Sequence, residues 1–111
     1  MPRVLNIWRD VPNFNHGWNY RRDGLPLGAV YIGRKNVPYG LPESKWHNPY
    51  KARRHTREEH QRVVDEFECY LHESGLINEV RELHGLNLVC WCVPLPCHGN
   101  VLLRLANAGL G

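Results

Sequence analysis

Residues 88–102, Leu-Val-Cys-Trp-Cys-Val-Pro-Leu-Pro-Cys-His-Gly-Asn-Val-Leu, place three of the chain's four cysteines, two prolines, a histidine and a glycine between two apolar runs. Leu88 to Cys92 reads as a short buried strand, with Leu88, Cys90 and Cys92 on one face and Val89 and Trp91 on the other. From His98 through Leu105 the pattern is that of a helix. A strand that is apolar on both faces belongs in the middle of a covered sheet, which is how parallel sheets are built. The Pro-bounded loop between strand and helix brings Cys97, His98 and a row of unpaired backbone N–H groups to a helix N-terminus, where anions are favoured.

Working outward, Arg3 to Trp8 and Ala29 to Gly33 read as two further strands. The segments 10–28 and 36–50, rich in Asn, Gly, Pro and Arg, read as long irregular loops, which in small domains are usually functional or mobile. Thr56-Arg-Glu-Glu59 is a capping box that opens a helix with Val63, Val64, Phe67, Tyr70 and Leu71 on one face and Gly75 as its stop. A shorter helix follows, with Ile77, Val80 and Leu83 inward and Gly85 as cap. The last helix turns Val101, Leu102, Leu105 and Ala106 inward and frays at Gly109. The order β, β, α, α, β, α predicts a small α/β sandwich with a mainly parallel sheet and one domain spanning residues 1–111. Ligands gather beyond the carboxyl ends of such strands, here Arg9 and Asp10, Gly33 and Arg34, and the Pro94 to His98 loop.

Composition narrows the partners. A chain of 111 residues buries roughly two-thirds of its unfolded surface without a disulfide staple. No apolar run approaches the ~20 residues of a membrane span, and Met-Pro-Arg-Val-Leu lacks the apolar core of a signal peptide, so no membrane contact and a cytoplasmic location are expected. The net charge of +3 gathers at Arg21–Arg22 and Lys51–Arg57. That suits a phosphate-bearing small ligand or weak nucleic-acid contact better than a dedicated duplex binder, and it equally suits a solvated basic face. Without a secretory signal, the four cysteines point to metal, catalysis or core packing rather than to disulfides.

Two constellations carry chemistry. Cys97, at an electropositive helix N-terminus, is a candidate nucleophile with His98 as base, or else a small residue packed beneath the cap. Cys90, Cys92, Cys97 and His98 also form a C-x-C-x4-C-H set compatible with tetrahedral zinc; since Cys90 and Cys92 lie roughly 6 to 7 Å apart along a strand, joint ligation requires the strand to bend. Of the remaining histidines, His60 and His84 sit on helices among charged residues, and most are expected to be exposed. In Ser44-Lys-Trp-His-Asn-Pro-Tyr50, Lys45 adds charge, Trp46 or Tyr50 is a candidate stacking platform, and Asn48, held extended by Pro49, is placed to read a base edge or a ribose hydroxyl. The alternative is that both rings plug the end of the sheet. Arg34 after Gly33 is a candidate phosphate clamp, or a partner for Asp65 or Glu66. Asn6, Arg9 and Asp10 form the third side of the crevice. Asp10, Glu43, His47 and His98 are the available acids and bases. Trp18 and Tyr20 are read as an exposed dimer face or lid, leaving a homo-oligomer open.

The strings Val-Tyr-Ile-Gly-Arg (30–34), Ser-Lys-Trp-His-Asn-Pro-Tyr (44–50), Arg57-Glu58-Glu59 and Cys-Trp-Cys-Val-Pro-Leu-Pro-Cys-His-Gly-Asn-Val-Leu resemble the domain-of-unknown-function 4326 family, small proteins largely of bacteria and phages, from Val4 to Asn107. The resemblance implies a Rossmann-like three-layer sandwich and a phage context, but no established activity. Asn100 stands where that pattern more often has Asp, so a carboxylate acting there as base or ligand would be missing. The expected function is binding of a nucleotide or nucleotide-derived molecule, with hydrolysis or glycosyl transfer as the candidate chemistry. Phosphate would lie on the helix start at Pro96, Cys97, Gly99 and Asn100, and no cofactor is needed. The resemblance to a phage-associated family implies, as context, handling of modified nucleotides or capture of a nucleotide signal used in host defence. The competing expectation is a non-catalytic nucleic-acid or protein adaptor with zinc held by the Cys and His residues.

Overall fold

Three short strands, β1 (Val4–Asn6), β2 (Ala29–Tyr31) and β3 (Asn87–Cys90), form an open, all-parallel sheet in the order β1-β3-β2 in the computed structural model, which describes residues 2–108. Leu88 sits between Val4 and Val30, and Val89 between Leu5 and Tyr31. Leu88, Val89 and Cys90 are almost wholly buried, as a central strand requires. The architecture is mixed helix and strand.

Side-chain alternation along β3 divides the core in two. Leu88 and Cys90 pack with Ile32, Phe67, Leu71 and Leu102 beneath α3 (Arg57–Ser74) and α4 (His98–Asn107). Val89 packs with Leu5, Ile7, Phe14, Trp18 and Leu41 on the other face. There Phe14 stacks on Tyr39 with centroids 4.6 Å apart and meets Trp8 edge-on at 4.8 Å. Trp18, expected to be exposed, is 4 % accessible and donates its indole N–H to Gly24 O at 3.1 Å, so its ring is core rather than a dimer face or lid. The 10–28 segment contains α2 (Tyr20–Asp23), capped by the Asn19 side chain.

β1 is shorter than its alternating pattern suggests. The Asn6 side-chain Oδ1 accepts from the backbone N–H groups of Trp8 and Arg9, while the Asp10 carboxylate accepts from the Asn6 backbone N–H at 2.8 Å. This reciprocal cap turns residues 7–10 into α1 (Ile7–Asp10). α3 begins at the predicted place, with Thr56 Oγ1 accepting from Glu59 N–H at 3.2 Å. Only half of the capping box forms, because the Glu59 carboxylate is engaged by Arg53 N–H and the Arg62 guanidinium. Gly75, at φ +83°, ends α3. The segment Leu76–Leu83 is a 3-10 helix capped at His84, not an α-helix capped at Gly85. Its inward residues Ile77, Val80 and Leu83 recur every three positions, the period that aligns one face of a 3-10 turn. α4 buries Val101, Leu102 and Ala106, with Leu105 half-buried; the expected fraying at Gly109 falls outside the described residues.

Candidate metal centre

β3 ends at Cys90, and the chain then turns, closed by Leu95 N–H donating to Cys92 O at 2.9 Å. The bend that joint ligation demanded is therefore present. The loop returns at Cys97, the N-cap of α4, whose sulfur takes the place usually held by a Ser or Asp oxygen and accepts from Gly99 N–H at 3.3 Å. The Asn100 side-chain Oδ1 accepts from Cys97 N–H at 3.0 Å. An amide serves this backbone role as a carboxylate would, so Asn100 costs the cap nothing.

These turns bring three sulfurs together. Cys90 Sγ and Cys97 Sγ are 2.8 Å apart, and the sulfurs of Cys90, Cys92 and Cys97 all lie within 4.8 Å of one another. Cys90 and Cys97 are 1 % exposed and Cys92 half-buried. One negative charge is readily accommodated here: Cys90 foremost, then Cys97, donates to the Cys92 sulfur and pushes that thiol far below its usual range, while the same contacts and burial push Cys90 and Cys97 up. Such a cluster could hold a thiophilic metal such as zinc, whose charge would favour deprotonation of all three. No histidine shares their mutual range. His98 stands beside them, with Nε2–H donating to Ile32 O at 2.8 Å and its ring edge-on to Phe67 at 4.9 Å. Nδ1 lies 3.7 Å from Cys97 Sγ. Burial lowers the His98 pKa, so the ring is neutral and Nδ1 carries a lone pair toward the cysteines.

The sulfurs face a cavity of about 430 Å³ beyond the carboxyl ends of β2 and β3. Gly33, Arg34, Tyr50 and Pro96 are among the residues that line it. The Arg34 guanidinium, however, holds the loop opposite, donating to Asn48 O at 2.6 and 3.1 Å and to Tyr50 O at 2.9 Å rather than pairing with Asp65 or Glu66. The Asn48 amide, expected to read a ligand, is 8 % exposed and is used internally: it donates to Val63 O and accepts from Tyr50 N–H, both at 2.9 Å. Trp46, at 3 % exposure, donates to Glu82 and cannot offer an open stacking face, which leaves Tyr50, 37 % exposed, as the one of the two that lines the cavity, where Trp91 joins it. Lys45 is occupied by Glu79 and Glu82 at 3.0 and 2.7 Å. Gly99 is packing: a methyl there would meet Ile32 Cδ1 at 2.8 Å.

The β1 corner stands apart. Asn6, Arg9 and Asp10 do not line the cavity. Arg9 pairs with Asp10 at 3.1 Å, and this contact, chiefly, holds the Asp10 carboxyl below its ordinary range. His47 Nδ1 lies 2.7 Å from Ser44 O, and neither His47 nor Glu43 reaches the cavity. A larger hollow of about 570 Å³ lies along residues 11–26, where Arg22 is already paired with Asp23 at 2.9 Å.

One functional candidate was missed outright. His60 is 7 % exposed, not solvated, and lines the cavity with the three cysteines. Its Nε2 is the buried side-chain nitrogen or oxygen without a hydrogen-bond partner among the described residues. The signal lay in the helical period, since 60, 63, 64, 67 and 71 form one buried stripe on α3. A family model described as a domain of unknown function (DUF4326) matches residues 18–108. No curated protein and no solved structure matches.

Proposed function

The chain belongs to the DUF4326 family, and from the geometry of its site we propose that it is a zinc-binding protein in which Cys90, Cys92 and Cys97 ligate the ion. The observation that carries this reading is the convergence of the three sulfurs within 4.8 Å at the floor of a cavity. Three protein ligands leave a fourth tetrahedral position for an outside atom, the arrangement of zinc sites that work on or bind a ligand. His98, which gives one ring N–H to a carbonyl and turns its other nitrogen toward Cys97, has the hydrogen bonding of a histidine held near a metal. With 1 % exposure and a raised pKa, Cys97 fits ligation and packing better than service as a free nucleophile.

We read the sheet and its two covered faces as a minimal Rossmann-like sandwich folded as one domain. The second reading is that the cavity takes a nucleotide-type molecule; its position beyond parallel strand ends, its volume and the presence of Arg34 favour this. Zinc measured per chain after desalting, beside the melting temperature with and without a chelator, tests the metal. About one zinc per chain, lost together with stability, is expected, and Cys92→Ser should bind it weakly. Metal-free protein with chelator-insensitive melting would overturn the reading.

A further inference from the structure

Among the described residues seventeen line the cavity, and none of these is Asp or Glu, although the chain has 11 acidic residues. Arg34, Lys51, His55 and His60 are, with His98, its basic side chains, beside Asn36, Asn48 and Tyr50. Neither Arg34 nor Lys51 has a carboxylate within 4.0 Å among the described residues. His60 belongs to the lining, and its Nε2, covered by its surroundings, has no hydrogen-bond partner among the described residues. A buried polar atom left unmatched in an otherwise satisfied interior calls for a partner the protein does not itself supply. We propose that the cavity is an anion site for a phosphate-bearing small molecule. In it a turn of the His60 ring brings Nε2–H onto a phosphate oxygen, and Lys51, with Arg34 behind it, balances the charge.

The cations do more than offset the cysteines. A zinc with three thiolates carries one negative charge, which Arg34 alone balances, and Lys51 leaves the wall positive. The phosphate thus sits between His60 and Lys51, not on the α4 N-terminus, where Cys97 and Asn100 already cap the backbone. This assignment builds on the nucleotide reading of the cavity and does not depend on the metal.

The test is titration of the zinc-characterised full chain with inorganic phosphate, adenosine monophosphate and adenosine, followed by calorimetry, with zinc content measured on every sample. Phosphate and the monophosphate should bind and adenosine should bind far more weakly. Lys51→Glu and His60→Ala should each weaken monophosphate binding by about ten-fold or more, as loss of one charge-assisted hydrogen bond implies. Arg21→Glu, the same charge change at an exposed position on α2, should not. Because His60 is buried, its variant is scored only if it melts cooperatively, and Lys51→Glu carries the test otherwise. Absence of phosphate and monophosphate binding in protein with its zinc in place would overturn the anion site alone. So would equal affinity for adenosine, or a Lys51→Glu variant that changes zinc retention but not phosphate affinity. Normal phosphate binding by zinc-free protein would uphold the anion site and leave the metal to be judged by the zinc content alone.

Discussion

Two corners of the same sheet edge, a few residues from one another in space, end their strands in opposite ways. At β1, Asn6 caps α1, Asp10 accepts from Asn6 N–H and pairs with Arg9, and the Asn6 amide donates to Val93 O. That corner satisfies itself. At β3 the chain delivers three sulfurs into one volume and leaves the His60 nitrogen without a partner. A strand end can hold many polar residues and offer a ligand nothing, and the number of unanswered groups separates a cap from a site. The family match, which starts at residue 18, contains the β3 corner and leaves out the β1 corner.

The largest effect should come from breaking the β3 corner. Removing zinc, or replacing Cys90 with Ser, should lower the melting temperature by on the order of 10 °C or more, since metal held by a folded site is folding free energy. An unchanged melting curve would erase the difference between the corners. Next, Gly99→Ala should destabilise by about 1–3 kcal/mol, because a methyl must push Ile32 aside where α4 meets the sheet. Chemical denaturation measures it, and a neutral result would reopen Gly99 as a ligand contact. Asn6→Ala should cost about 1–2 kcal/mol through the lost cap and the lost bond to Val93 O, and leave zinc content untouched. Loss of zinc in that variant would show the corners to be one site.

The smallest effect concerns pH and lies outside both corners. Arg62 foremost, then Arg53 N–H, lowers the Glu59 pKa from 4.5 to about 2. A carboxylate depressed in the fold contributes stability that is complete above the unfolded pKa and is lost as pH falls from about 4.5 toward 2. Glu59→Gln should flatten that acid limb slightly and spare zinc binding above it. An unaltered limb would remove Glu59 from the account.

Much of the frame was legible in the sequence. Gly75, Thr56, the α3 stripe and the central strand at Leu88 announce themselves through caps and periodicity, and Cys90, Cys92 and Cys97 through their spacing. What stayed hidden was decided by side chains answering backbone groups. Asn6 ends a strand whose apolar alternation continues to Trp8, and no pattern shows that its amide will cap. Trp46 and Asn48 look like ligand readers on a polar loop, yet partners 15 to 36 residues away consume them. His60 was masked by charged neighbours in sequence, although its place in the 3.6-residue period was available to be read.

The central claim is that three cysteine sulfurs, and no more, bind one ion. X-ray absorption at the zinc edge on purified protein tests it most directly. The account predicts three sulfur neighbours near 2.3 Å and one nitrogen or oxygen near 2.0–2.1 Å. A shell of nitrogen and oxygen alone, or no zinc in the sample, would contradict it.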